Sequence, residues 1–197
     1  MLYNDLMKII LGSQSIGRKE VLEKAGYTFE IRVADIDEKA IRSDNHEELP
    51  LLIARAKADK LLTIIHEPAI LITSDQVVVY NKELREKPES EHQAGEYLRS
   101  YGIDPVQTNT AVVVVNTATG KRVEGVDIAR VYFKPIPQAV IDELIKERKV
   151  MHAAGGFIIE HPLLKPYVER IEGDPDSVTG LPLKLVEELM EKVKDNS

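Results

Sequence analysis

A residue that breaks the pattern around it must be compensated by partners, and such residues are where chemistry is sought first. Asp75 does so most plainly, standing inside AILITSDQVVVY (69–80), a β-rich run that is otherwise apolar almost throughout. A buried carboxylate needs hydrogen bonds, a cation or a metal, because burial alone drives it to take up a proton. Asp75 therefore reads in two ways: as an acid placed for catalysis, or as a strand end or bulge bonded to backbone amides. Three cations are also out of place. Lys57 falls on the apolar stripe of a helix, four residues after Ile53 and four before Leu61. Arg18 shares a helical face with Val21 and Leu22, and Lys87 follows a hairpin signal and is pinned by Pro88. Singly, each could be a side chain snorkelling over apolar surface. Together, in an acidic chain, they suit a triphosphate or another polyanion.

Ser13 and Ser15 lie between a buried strand and a helix start, where free amide N–H groups and the positive end of the helix dipole can hold a phosphate. Ser15 equally suits the plain role of helix cap. The run GSQSIG (12–17) is not a phosphate-binding Walker loop, since the GK[ST] ending is absent. It also misses the G-x-S-x-G nucleophile elbow, because Ser13 stands where the first glycine belongs. A serine esterase acting through Ser15 is thereby the weakest reading. Asp35, Asp37 and Glu38 in an acidic loop offer oxygen ligands of the kind magnesium prefers, or form a merely solvated loop. The histidines at 46, 66, 92, 152 and 161 are scattered without paired spacing, which speaks against a catalytic zinc.

The elements that must position these residues alternate between strand and helix. Strands are expected over 7–11, 29–33, 69–74 and 77–80, the last two interrupted by Asp75 and Gln76, and over the long runs 107–116 and 121–133 joined by a hairpin. Helices are expected over 18–25, 49–65, 90–100, 137–149 and 182–193. The strict repeat of a doubly wound sheet is missing, so the expected fold is a mixed-sheet α/β or α+β domain with two lobes and a cleft between them. At 197 residues the chain suits one domain and can bury roughly 70% of the surface its unfolded form exposes. It has no cysteine, which removes disulfides and thiolate chemistry and fits a reducing compartment. Its 33 acidic against 26 basic residues disfavour nucleic acid as a partner. The opening MLYNDLMKIILG is too short and too weakly charged for a signal peptide. With no stretch near the ~20 apolar residues that span a bilayer, a cytoplasmic protein without a membrane partner is expected.

Taken together, these residues resemble the Maf proteins, nucleotide pyrophosphatases also described as septum-formation inhibitors. The resemblance runs in order along the chain: Ser13, Ser15, Arg18 and Leu22 as S-x-S-x-x-R-x-x-x-L; Asp37-Glu38; Ala54 to Ala58 around Lys57; Asp75-Gln76-Val77-Val78; Lys87-Pro88; Ala154 to Phe157; and the closing G-L-P-L, Gly180 to Leu183. It implies a two-lobed mixed α/β fold similar to that of inosine-triphosphate pyrophosphatases, commonly a homodimer. It also implies hydrolysis of a nucleoside triphosphate to the monophosphate and pyrophosphate with a divalent cation, magnesium or manganese. In that reading Asp75 activates water, while Ser13, Ser15, Arg18, Lys57 and Lys87 hold the phosphates. Glu38 contributes to substrate or metal binding, with Asp75 as the second metal ligand.

The resemblance also bears on the base. One branch, acting on dTTP and UTP, has threonine after the acid and glutamine after the A-G-G-Y stretch; a second, acting on 7-methyl-GTP, has glutamine and glutamate. Gln76 and Glu160 match the second, and a carboxylate can accept from the adjacent N1–H and N2–H of guanine. The third discriminating position, arginine in the first branch and tryptophan in the second, is Gly17 here and removes a stacking surface. Two alternatives stand beside a 7-methyl-GTP preference. One is a dTTP/UTP pyrophosphatase, and the other is a nucleotide-binding regulator of cell division with little turnover.

Overall fold

The computed structural model describes residues 7–194; residues 1–6, the first half of the segment read above as no signal peptide, and 195–197 lie outside the described residues. In chain order the elements are β1 (Lys8–Leu11), α1 (Ile16–Lys24), β2 (Glu30–Ile31), α2 (Glu48–Leu62), β3 (Ala69–Tyr80), β4 (Glu83–Arg85), α3 (Glu91–Ser100), β5 (Val106–Asn116), β6 (Arg122–Phe133), α4 (Gln138–Lys146), β7 (Val168–Glu172), α5 (Pro175–Thr179) and α6 (Leu183–Lys194), with short 3-10 turns between some of them. The strands form one mixed sheet of seven in the order β2-β1-β3-β5-β6-β7, with β4 also paired to β3. The fold is the mixed α/β arrangement expected, and one sheet runs through both of its halves. No helix of the described residues is long and apolar enough to cross a membrane.

β3 is the axis of the sheet. Along one edge it pairs antiparallel with β5 from Ile70 to Val79. Its other edge is shared: β1 runs parallel to Ala69–Ile72, and β4 runs antiparallel to Val78–Tyr80. Between those two partners, residues 73–77 face no strand on that side. The sheet is therefore split at Asp75.

Both faces of β3 are covered, which is why its sequence is a near-continuous apolar run rather than an alternating one. Toward the β1 end, Leu71 packs with Ala54, Ala58 and Leu61 of α2 on one face. Ile70 and Ile72 pack on the other face with Val21 and Leu22 of α1 and with Val186, Leu189 and Met190 of α6. Toward the β4 end, Val78 and Tyr80 meet Leu98 of α3 and Ile141 and Leu144 of α4. The polar run Thr73 to Gln76 separates these apolar clusters, so each half of the molecule keeps its own core.

Several expectations are corrected. β3 does not break at Asp75 and Gln76; its backbone stays extended because side chains, not a bulge, satisfy the carboxylate. Helix α1 begins at Ile16, two residues early, because Ser15 caps it by accepting from the Arg18 amide. The helix expected to run to 149 ends at Lys146, shortly before Arg148 takes a left-handed φ of 63°. The 29–33 strand shortens to Glu30–Ile31, while β7 and α5 were not anticipated.

Leu61 of α2 is fully buried, whereas Ile64 just past the helix is 52% exposed. Leu61→Ala is expected to cost about 2–5 kcal/mol and Ile64→Ala about 0.5 kcal/mol or less, measured by urea unfolding of the two variants in parallel.

Candidate active site

The split in the sheet gathers side chains from four distant segments. Asp75 leaves β3 toward α2, where the Lys57 ammonium donates to its Oδ1 at 2.7 Å. The same ammonium lies 2.9 Å from Oε1 of Glu38, which belongs to a 3-10 turn in the acidic loop. The pair is nearly closed to solvent, the Lys57 and Asp75 side chains keeping 9% and 10% of their surface. Lys57 sits on the buried stripe of α2 for this reason: its alkyl stem packs with the core and its charge ends on Asp75. Burial pushes the Asp75 carboxyl above the ordinary range, against the opposing pull of Lys57 and Arg18, and Glu38 adds to the rise. A carboxylate moved toward neutrality is a better proton acceptor at physiological pH than an exposed one. Among the described residues, Lys57 is the only hydrogen-bond partner of the Asp75 side chain, which leaves Oδ2 for a water.

On the opposite face of β3, Arg18 closes the split. Its Nε donates to the carbonyl of Gly180 at 2.9 Å, and its Nη1 donates to the carbonyl of Ser74 at 2.8 Å and to Oγ of Ser13 at 3.3 Å. Burial lowers the Arg18 pKa while Asp75 and Glu38 pull it back; a guanidinium stays charged regardless. Ser13 Oγ also accepts from the Ser15 amide at 3.1 Å, so the loop before α1 is braced around the arginine. The bare role weighed for Ser15, helix cap, is the one the structure gives it. No histidine bonds to it among the described residues.

Lys87 stands apart. It is exposed in the loop after β4 and makes no hydrogen bond or ion pair with any described residue. Its backbone is nonetheless aimed at the split. β4 pairs Tyr80 with Glu83, Val79 with Leu84 and Val78 with Arg85, so the chain beyond Arg85 travels along β3 toward Asp75. Two features hold it there. Arg85 is caged over the rings of Tyr80, Tyr97 and Tyr101 at 3.9, 4.5 and 5.0 Å and donates to Ser100 Oγ at 2.7 Å. The Gly155 amide donates to the Glu86 carbonyl at 3.1 Å. Gly155 has a φ of +67°, and a Cβ there would meet Val78 Cγ1 at 2.7 Å, so the small-residue segment is small because it must cross β3 at contact distance.

The three positions expected to discriminate bases converge on α5. Gln76 Nε2 donates to the Ser177 carbonyl at 2.6 Å, to the Val178 carbonyl at 3.2 Å and to Thr110 Oγ1 at 3.0 Å. Thr110 itself donates to the Ser177 carbonyl at 2.9 Å. Glu160 accepts from the Thr179 hydroxyl. At Gly17 a Cβ would come within 2.8 Å of Thr179 Cγ2 and 3.0 Å of its carbonyl oxygen, so α1 and α5 meet where a side chain would stand. Asp174 caps α5 by accepting from the Asp176 amide at 2.9 Å. Glu160 on Thr179, Asp174 at the cap and Asp176 in the first turn form an acidic rim on this short helix; burial raises the Asp176 carboxyl, Asp174 and Glu160 push the same way, and Lys24 opposes them. Sequence reasoning missed Gly180, Thr110 and Thr179. Gly180 carried a signal, as part of G-L-P-L, but its carbonyl is what acts here and no side-chain pattern reveals that.

Residues 8–193 match the family described as Maf-like protein. The chain belongs to that family. A relative named 7-methyl-GTP pyrophosphatase, from Dictyostelium discoideum, is 48% identical over 192 residues, covering 94% of this chain and 96% of its own. A dTTP/UTP pyrophosphatase from Alkaliphilus metalliredigens is 32% identical over 94% of this chain and 95% of its own. A solved nucleoside-triphosphatase / dITP/XTP pyrophosphatase from Mycobacterium abscessus aligns over 66% of this chain and 75% of its own, with 15% identity and a TM-score of 0.36. The resemblance of the Maf-like motifs to this chain is thus matched along nearly its whole length.

Removing Lys57 would strand Asp75 in its buried position. Lys57→Met is expected to destabilise the protein by about 3–5 kcal/mol, the loss typical of breaking a buried pair from one side. Lys57→Met with Asp75→Asn should recover a good part of that loss, which a double-mutant cycle in urea would measure.

Proposed function

We infer that this Maf-like chain is a nucleoside triphosphate pyrophosphatase. The observation that carries the reading is the buried Asp75–Lys57 pair at the split of the sheet, with Arg18 and Ser13 on its other side. Full-length relatives named as pyrophosphatases support it. Water, positioned by Oδ2 of Asp75, attacks the α-phosphorus as its proton passes to the carboxylate. The bond to the bridging oxygen breaks, and pyrophosphate leaves with the electron pair. Arg18, Lys57 and Lys87 offset the charge that builds on the departing group.

Asp75 and Glu38 would hold a divalent cation, magnesium or manganese, whose charge would help neutralise the phosphate oxygens. Two carboxylates converge on one ammonium, and among the described residues no three His, Cys, Asp or Glu side chains gather as a metal cage, so the chain alone offers at most two carboxylate donors there. Magnesium is commonly held by one or two carboxylates plus substrate phosphates, so such a cation would arrive with the triphosphate.

For the base we propose 7-methyl-GTP. Gln76 and Glu160 favour it, and the carboxylate rim of Glu160, Asp174 and Asp176 suits a ring that carries positive charge. The dTTP/UTP alternative would have the rim idle. The test is product analysis with magnesium or manganese across 7-methyl-GTP, GTP, ATP, CTP, UTP and dTTP. Monophosphate and pyrophosphate are expected, fastest from 7-methyl-GTP; diphosphate and phosphate would mean a different bond is cut.

Two variants sharpen the assignment. Asp75→Asn should lose about 10²–10⁴-fold in kcat, the usual share of a general base, while still binding nucleotide. Full turnover in that variant would remove Asp75 from the chemistry, and a wild-type protein that binds without cleaving would favour the regulator. Lys87→Ala should raise KM about tenfold, as loss of one charge-assisted contact does, with an unchanged Tm because Lys87 holds nothing else in place.

A further inference from the structure

Thr179 lies between two of the positions that distinguish bases and touches both. Its hydroxyl donates to Oε1 of Glu160, and its methyl occupies the space in which a side chain at Gly17 would begin. The helix that carries it is tied to the catalytic strand and its neighbour from beneath by Gln76 and Thr110, and just past its end the Gly180 carbonyl accepts from Arg18 and Ser74. Glu160 itself is exposed. An exposed glutamate samples many rotamers and loses that freedom when it binds. One hydrogen bond on Oε1 holds the carboxylate in place and leaves Oε2, with the remaining lone pair of Oε1, to accept from two neighbouring N–H groups.

We propose that Thr179 is a positioning residue for base selection, fixing Glu160 so that it can accept from the adjacent ring and exocyclic N–H groups of a guanine-type base. The inference rests on Glu160 being the carboxylate that reads the base. It also accounts for Gln76, whose amide nitrogen is fully engaged with α5 and Thr110 and so acts on specificity by setting where Thr179 stands.

The test compares kcat/KM for 7-methyl-GTP with kcat/KM for UTP, whose ring offers a single N–H, in the wild type, Thr179→Val and Thr179→Ser. Valine keeps the shape and loses the hydroxyl; serine keeps the hydroxyl. The expected result is a preference for 7-methyl-GTP that falls about tenfold in Thr179→Val, the size of one lost hydrogen bond to a charged group, and persists in Thr179→Ser, with Tm alike in all three. An unchanged ratio in Thr179→Val overturns the proposal, and so does an equal loss on both substrates, which would mark a structural role. A wild type that cleaves every triphosphate at one rate overturns it through Glu160, leaving the pyrophosphatase reading intact. A wild type without turnover overturns both.

Discussion

A carboxylate in the middle of a strand buried on both faces is tolerable only if something answers its charge, and in this chain that answer is Lys57. The ion pair at 2.7 Å costs desolvation on both sides. It is accepted where hydrocarbon packing would have been cheaper. The surrounding architecture follows from it. β1 and β4 stop short of the carboxylate on one edge of β3, the apolar clusters part on either side of residues 73–76, and Arg18 closes the opposite face. A pair this unfavourable for simple stability makes sense as a site kept ready for an anion that competes for the same cations.

The family motifs turn out to be bonded to one another, which is why they occur as an ordered set. The first segment and the closing G-L-P-L meet through Arg18 and the Gly180 carbonyl. The K-P loop and the small-residue segment meet through the Glu86 carbonyl and the Gly155 amide. The acid and the helix lysine meet directly. In two of these three junctions the acceptor is a backbone carbonyl, so the identity of a residue there reports on the shape the chain must take rather than on a side chain that reacts.

Much of this was legible before any coordinates. Asp75, Lys57 and Arg18 announced themselves by violating apolar patterns, and α2, α4 and the β5–β6 hairpin by keeping them. What stayed hidden depends on distant contacts. α5 is five residues, PDSVT, with no periodicity to read; it holds because Gln76 and Thr110 donate to its carbonyls. Asp75 and Gln76 looked like a break in two strands because a polar pair usually ends one, and the partner that prevents the break is 18 positions away. Lys87 joined the cations by type, yet it is the one that remains outside the cluster, because its place depends on how Arg85 seats among three tyrosines.

The Arg18–Gly180 bond spans 162 positions of the chain. During synthesis the helix that bears Arg18 is finished long before its acceptor exists, and a chain growing at roughly 5–20 residues per second leaves the two apart for about ten seconds or more. For that interval the guanidinium is without its final seat, and α5 has not been made. Nucleotide could meet the nascent lysine and aspartate but not a closed site. Competence therefore arrives with the segment that carries α5 and Gly180 rather than growing in proportion to length.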